Sequence, residues 1–262
     1  MGSIEQAAAL LKGLMGKLMS SDNDERTHAE HSLKAEWVAT QPQTLLASLA
    51  FLVHQDTDAS ARAFAAVLLR RIAFQNSPNA EFKEDERTVW SVVGPNVHQA
   101  VKGELLAALK DETDKGARHK LCDTISEVNN NVGDNEWPEV LPVLYACAQD
   151  SNAQLRESAY RIFTSCPYLL TAGQSAVAIS TAFIGALQDS EAALSALTEA
   201  AEEAPKLFRA VLGNLIVFAT EIGKNEALDS TTRQTALEVL VTLAEAAPGM
   251  CRKNAQFSQS IV

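Results

Sequence analysis

His28 and His31 stand three residues apart, a spacing that sets both rings on one face of a helix and would let them share a metal ion. No further set of His, Cys or carboxylates completes a ligand motif, so the pair is expected to be solvated and no metal is expected. The four cysteines, Cys122, Cys147, Cys166 and Cys251, are widely spaced and never form C-x-x-C. Cys122, Cys147 and Cys166 fall at apolar-periodic positions, which suits reduced thiols packed in a core better than nucleophiles paired with a histidine. No glycine-rich phosphate loop, H-E-x-x-H or G-x-S-x-G is present. The residues therefore predict no enzyme and no cofactor.

Charge is the other resource for chemistry. The chain of 262 residues carries 22 Lys and Arg against 33 Asp and Glu, a net charge of −11. Such a balance repels phosphate backbones, so direct nucleic-acid binding is not expected and basic partners are. The acid-rich stretch Asp111–Asp150 holds Asp111, Glu112, Asp114, Asp123, Glu127, Asp134, Glu136, Glu139 and Asp150, against Lys115, Arg118 and Lys120. It reads either as a solvated face or as a surface complementary to a basic protein segment.

The elements that position these residues are helices. Hydrophobic residues make up 47% of the chain, enough for a sizeable core, while aromatics are 6% and Gly and Pro are scarce. An internal repeat near forty residues long runs through the chain. Acidic turns open the segments Asp22–Ala39, Asp58–Phe74, Asp114–Val128, Asp150–Cys166, Asp189–Ala204 and Asp229–Ala247. Aligned on Arg26, Arg62, Arg118, Arg156, Ser195 and Arg233, they place Ala29, Ala65, Leu121, Ala159 and Ala236 three residues later, with Thr198 out of pattern. Leu33, Leu69, Ile125, Phe163 and Leu240 follow at seven, with Glu202 out of pattern, and both offsets lie on one helical face.

An apolar-periodic helix precedes each segment: Ile4–Met19, Pro42–His54, Thr88–Lys110, Pro138–Gln149, Gln174–Gln188 and Pro205–Ile222. Asp and Ser at the turns supply N-caps. Pro42 and Pro138 suit first helical turns, Pro167, Pro205 and Pro248 fall where second helices end, and Pro95 and Pro142 are expected to bend first helices. A loop insertion is expected around Gln75–Arg87.

The uncharged run Ile162–Gln188 is long enough to span a bilayer. Pro167, Gly173 and Gln174 interrupt it, so it reads as two buried helix pieces and a turn, with no membrane insertion. The expected fold is all-α, a solenoid of helical pairs spanning 1–262 as a single unit. Its repeats are 4–40, 42–74, 88–130, 136–166, 174–204 and 205–247, then a partial repeat 254–262. The last is read as the start of a seventh pair, so the chain is expected to be the N-terminal part of a longer solenoid.

Several strings carry a family resemblance. Arg26-Thr-His-Ala29-Glu30-His-Ser-Leu33 resembles the opening repeat of the importin-beta (karyopherin-beta) nuclear transport receptors, and Arg62-Ala-Phe-Ala65-Ala66-Val67-Leu68-Leu69-Arg70-Arg71 their second repeat. Ala117-Arg118-His-Lys120-Leu-Cys122-Asp, followed by Asn135-Glu136-Trp137-Pro138-Glu139, is similar to the karyopherin beta-three, or importin-five, branch. The resemblance covers nearly the whole chain and departs most in the fifth pair.

It implies a right-handed α-solenoid of HEAT repeats without catalysis, shuttling between cytoplasm and nucleus through the nuclear pore. The implied partners are Ran-GTP, protein cargo with basic nuclear-localisation segments, and phenylalanine–glycine nucleoporins. By that resemblance Glu30, Lys34, Arg70, Arg71, Glu127 and Asn129 are the candidates for a Ran-facing surface on second helices, off the main apolar stripe. Seams near Gln174–Gln188 and Pro205–Ile222 are the regional candidates for nucleoporin contact. Another HEAT scaffold or adaptor, such as a phosphatase scaffold subunit, is the competing reading, because one solenoid hosts unrelated partners.

Overall fold

Four of the six second helices begin in the same three-residue device. A side chain two residues before the N-cap accepts the cap's own N–H: Ser20 for Asp22, Asp56 for Asp58, Glu112 for Asp114 and Asp150 for Asn152, at 2.8–3.1 Å. The cap oxygen then accepts orphan amides of the first turn, as Asp22 does from Asp24 and Glu25, Asp58 from Ser60, Asp114 from Ala117, and Asn152 from Gln154. Four residues past the cap, the arginine reaches back to a carbonyl of the same turn. Arg26 donates to Ser20 O, Arg62 to Asp56 O and Arg156 to Asp150 O, at 2.6–2.8 Å. These arginines, which anchor the sequence repeat, clamp the turn and so orient the helix that follows.

Four second-helix segments also end alike. Gln41, Cys166, Ala204 and Ala247 each precede a proline and share one backbone conformation, φ −135 to −139° and ψ 46 to 61°. The proline ring bars its predecessor from the α region, so the helix stops there and the chain turns.

The structure, a computed structural model, describes residues 2–78, 87–132, 136–170, 191–254 and 257. Its first helices are α1 Gly2–Leu18, α3 Pro42–Gln55, α6 Pro95–Asp111, α8 Val140–Ala148 and α11 Leu212–Lys224. The second helices are α2 Asn23–Ser32, α4 Ala59–Ala73, α7 Lys115–Asn131, α9 Ala153–Ser165, α10 Glu191–Glu203 and α12 Ser230–Ala246. Two short helices, α5 Val89–Val92 and α13 Pro248–Cys251, complete the set. The fold class is the expected all-α one, built of helical pairs. Among the described residues the one extended pairing outside helices is a bridge of Asn76 with Thr88. It closes the ends of the expected loop insertion, whose residues 79–86 lie outside the described residues.

The chain forms two compact units, Met1–Pro138 and Glu139–Val262. In the first, α1 packs on α3 and α3 on α6, while α4 packs on α7. Leu11, Leu45, Leu49, Leu105 and Leu109 fill the first-helix layer and are fully buried. Each such leucine contributes about 1.5–3 kcal/mol by leaving water. In the second unit α9 packs on α10, α10 on α12, and α8 and α11 against their own partner helices.

The aligned positions three and seven residues after each arginine are all buried. The fifth pair needs a correction. Thr198 is half-buried and Glu202 exposed, whereas Leu194, Leu197 and Ala201 are buried. Leu194, one residue before Ser195, is therefore the anchor, and the offsets of three and seven then fall on core residues as elsewhere. With leucine there, the arginine clamp is missing from this turn.

Other boundaries differ for local reasons. Thr88–Lys110 is two helices, since Pro95 starts α6 at its first position with Gly94 extended before it, so Pro95 interrupts where a bend was expected. Pro138 lies before α8, and Pro142 is the third residue of that helix. There its missing N–H costs no intrahelical bond, so the expected bend has no cause. Pro205–Ala210 is a 3-10 turn, and α11 starts only at Leu212. Leu33–Val38 continues α2 as a π-helical turn, closed by the Ala39 N–H donating to Lys34 O at 3.0 Å. The wider turn keeps Leu33 and Trp37, four apart, on the buried side together with Val38. Of the run Ile162–Gln188, α9 and a 3-10 turn at Pro167–Leu170 are seen, and residues 171–190 lie outside the described residues. Gln174–Gln188 and most of 254–262 fall there as well. Among the described residues no helix is long and apolar enough to cross a membrane.

Candidate functional site

All six candidate surface residues fall in the first unit, on the second helices that the turn devices orient. Glu30 and Lys34 lie one turn apart and exposed, with Lys34 inside the π-helical turn. Arg70 and Arg71 form the last turn of α4, where positive charge complements the helix C-terminus. Arg71 is exposed. Arg70 is half-buried, its Nη1 3.6 Å from Asp123 Oδ2 on α7. Glu127 lies one turn beyond Asp123, half-buried, and its carboxylate and carbonyl both accept from Asn131 Nδ2. The packing of α4 on α7 thus brings Arg70 and Glu127 onto neighbouring helices, reinforced where Thr124 Oγ1 donates to Ala66 O at 2.9 Å. Asn129 does not share this surface. It is buried, because it falls on the inward side of α7 next to Val128 and four residues after Ile125, which corrects its expected place off the apolar stripe.

A chain of charges ties α1 to two successive turns of this unit. Lys12 Nζ on α1 donates to Asp56 Oδ1 at 2.8 Å, and Asp56 is the acid that steadies the next turn. Arg62, besides clamping that turn, makes a bidentate pair with Glu112, Nε to Oε2 at 2.6 Å and Nη2 to Oε1 at 2.8 Å. Burial pushes the Glu112 carboxyl up, but the Arg62 hydrogen bonds and the Asp114 N–H outweigh it and hold it below the usual carboxylate value. Beside this, His54 stands between Glu104, 2.7 Å from Nδ1, and Asp111, 3.1 Å from Nε2. Burial disfavours its charged form, yet the two carboxylates outweigh that and raise its pKa. Both ring nitrogens face carboxylate oxygens, an arrangement that only the imidazolium satisfies with two donated protons.

These links revise the acid-rich stretch. Glu112 is buried against Arg62, Asp111 faces His54, Asp114 caps α7, Asp123 pairs with Arg70, and Asp150 steadies the turn before Asn152. The stretch is therefore not one free anionic face, because much of its charge is spent on neighbouring turns and helices. Sequence reasoning had no view of these pairs, whose partners lie about fifty residues apart. The signal within reach was the acid two residues before the caps Asp58, Asp114 and Asn152.

The four cysteines are buried and unbridged, and burial pushes the Cys251 thiol up. His28 Nδ1 lies 2.8 Å from the Asp24 carbonyl oxygen, an intrahelical contact. Within the candidate region Pro205–Ile222, Phe208, Leu212 and Leu215 are buried and Phe218 is half-buried, while Phe183 and Leu187 of Gln174–Gln188 lie outside the described residues.

The family description "IPO5-like, TPR repeats" matches residues 113–193, and "Importin repeat" matches residues 225–262. Importin subunit beta-3 of Saccharomyces cerevisiae is 28% identical over 311 residues, covering 98% of this chain and 28% of that protein. The crystal structure of Kap121p superposes with a TM-score of 0.67 at 27% identity, over 98% of this chain and 28% of that one. The crystal structure of Kap121p bound to RanGTP superposes with a TM-score of 0.60 at 27% identity, over the same shares. The chain thus spans a little over a quarter of the length of these relatives.

Proposed function

We propose that the chain belongs to the importin-beta (karyopherin-beta) family, in the branch of importin-5 and importin subunit beta-3, and that it is part of a nuclear transport receptor whose first unit binds Ran-GTP. The receptor carries protein cargo with basic nuclear-localisation segments, passes phenylalanine–glycine nucleoporins, and shuttles between cytoplasm and nucleus. The observation that carries the reading is the superposition of 98% of this chain on Kap121p bound to RanGTP. Helices α2, α4 and α7 then offer Ran a face of mixed sign from Glu30, Lys34, Arg70, Arg71 and Glu127, while Asn129 supports it from beneath. Mixed charge suits steering and register more than bulk affinity.

Calorimetric titration with Ran loaded with a GTP analogue, and separately with GDP, tests this. Binding is expected in the GTP form alone. Glu30→Lys combined with Arg71→Glu, both exposed, should weaken it roughly tenfold or more at unchanged helicity. Equal affinity for the two nucleotide forms, or no binding to either, refutes a Ran surface on this chain. Unchanged affinity in the double variant removes these residues from it.

A further inference from the structure

The second unit holds a cationic cleft in an otherwise acidic molecule. Residues 139–262 carry eight Lys and Arg against thirteen Asp and Glu, yet three of those cations, Lys206, Arg209 and Lys253, line one cavity of about 600 Å³. The cavity opens between two consecutive proline corners, Ala204-Pro205 and Ala247-Pro248, which share one backbone conformation. The corners are also alike in sequence. Phe208 and Cys251, each three residues after its proline, are buried and pin the corner, and an arginine follows in both, Arg209 and Arg252. The first corner supplies Lys206 and Arg209 to the cavity and the second supplies Lys253.

Several cations elsewhere are spent internally, Arg26, Arg62 and Arg156 on turn carbonyls and Lys12 on Asp56. Lys206, Arg209 and Lys253 are exposed, and none has a side-chain hydrogen bond or ion pair among the described residues. No carboxylate is among the described residues that line the cleft, whose apolar lining is Pro205, Ala246, Ala247 and Met250. Like charges gathered without a counter-charge raise the local potential and favour an anion.

We propose that this cleft binds a short acidic peptide segment of a partner protein, with an apolar side chain on the floor and Asp or Glu on the rim. The volume lies within the range of ligand sites and exceeds what a lone anion fills, and the apolar floor has no use for one. A nucleic-acid strand would have to approach a protein of net charge −11 along much more than one cleft. The site is separate from the Ran reading, whose residues all lie in the first unit, so either can fail alone.

Fluorescence anisotropy of the whole chain with a labelled Glu-Glu-Leu-Glu-Glu-Leu-Glu-Glu peptide tests it, beside the same peptide with Gln for Glu. The acidic peptide is expected to bind and the Gln peptide not. Lys206→Glu combined with Arg209→Glu, and separately Lys253→Glu, should each weaken binding, the former roughly tenfold or more. Amide exchange should slow at 204–210 and 246–253 in the complex. Absence of binding at millimolar peptide, or equal binding by the charge-reversed variants, overturns the proposal. So does a poly-dT strand that binds more tightly than the peptide and loses affinity in the same variants, which would assign the cleft to nucleic acid. Displacement of the peptide by inorganic phosphate at equal concentration would reduce it to an unspecific anion site and likewise overturn it.

Discussion

Replacing Glu112 by Leu should cost the first unit about 3 kcal/mol, the lower end of what breaking a buried ion pair costs. The carboxylate is buried, and it receives three donors: Nε and Nη2 of Arg62 and the backbone N–H of Asp114. Leucine leaves the guanidinium with the Asp56 carbonyl alone and leaves the Asp114 amide without its acceptor. Because the Arg62 side chain keeps 16% exposure, water relieves part of the penalty, which argues against the upper end of the range.

Glu112→Gln keeps an acceptor and should cost about half as much. Arg62→Met by itself strands the carboxylate instead. The double variant, Arg62→Met with Glu112→Leu, leaves no buried charge, so it should be less destabilised than the sum of the singles by about 2 kcal/mol. Urea unfolding followed by helix circular dichroism, with the denaturant slope unchanged, measures all four corners of the cycle. A coupling below about 0.5 kcal/mol, the usual limit of additivity for independent sites, would refute the claim that this pair ties the two repeats.

The same cycle has a pH signature. A carboxyl whose folded pKa is depressed contributes stability that is fully present above its unfolded value and is lost as pH falls through the folded one. The gap between wild type and Glu112→Gln should therefore shrink on acidification below the unfolded value of 4.5.

His54 has the opposite sign. Its raised pKa means a contribution fully present below 6.5 and lost as pH rises through the folded value above that. Thermal melts of wild type and His54→Gln should converge between about pH 6 and about pH 8, and a gap that widens with pH would contradict the paired imidazolium. At Gly223 an added Cβ would meet Leu237 Cδ2 at 2.8 Å and Cγ at 2.9 Å. Gly223→Ala should thus gain little in the wild type, but about 1 kcal/mol from helix propensity in a Leu237→Ala background. Equal effects of Gly223→Ala in the two backgrounds would deny that contact.

The periodicity of core positions was legible because it is a local property. Residues three and seven apart share a helix face wherever the helix is placed, so Ala65 and Leu69 or Ala159 and Phe163 declare their burial within one segment. Proline corners are legible for the same reason, since Pro167, Pro205 and Pro248 constrain only their immediate predecessors. Even the fifth anchor was within reach, as Leu194, Leu197 and Ala201 carry the offsets once the frame moves by one residue. The acidic stretch was not. Whether Glu112 faces solvent or Arg62, fifty residues away, depends on how one turn lies against the next. Asn129, a polar residue in a run of asparagines, gave no sign of its burial, because the packing of α7 decides which side of its last turn is covered. The cationic cleft belongs to the same class. Lys206 and Lys253 are forty-seven residues apart in the chain, and only the stacking of two like corners makes them walls of one cavity. What the sequence determined by itself is every feature whose cause lies within a helical turn or two, and tertiary structure alone decided which charges meet across repeats.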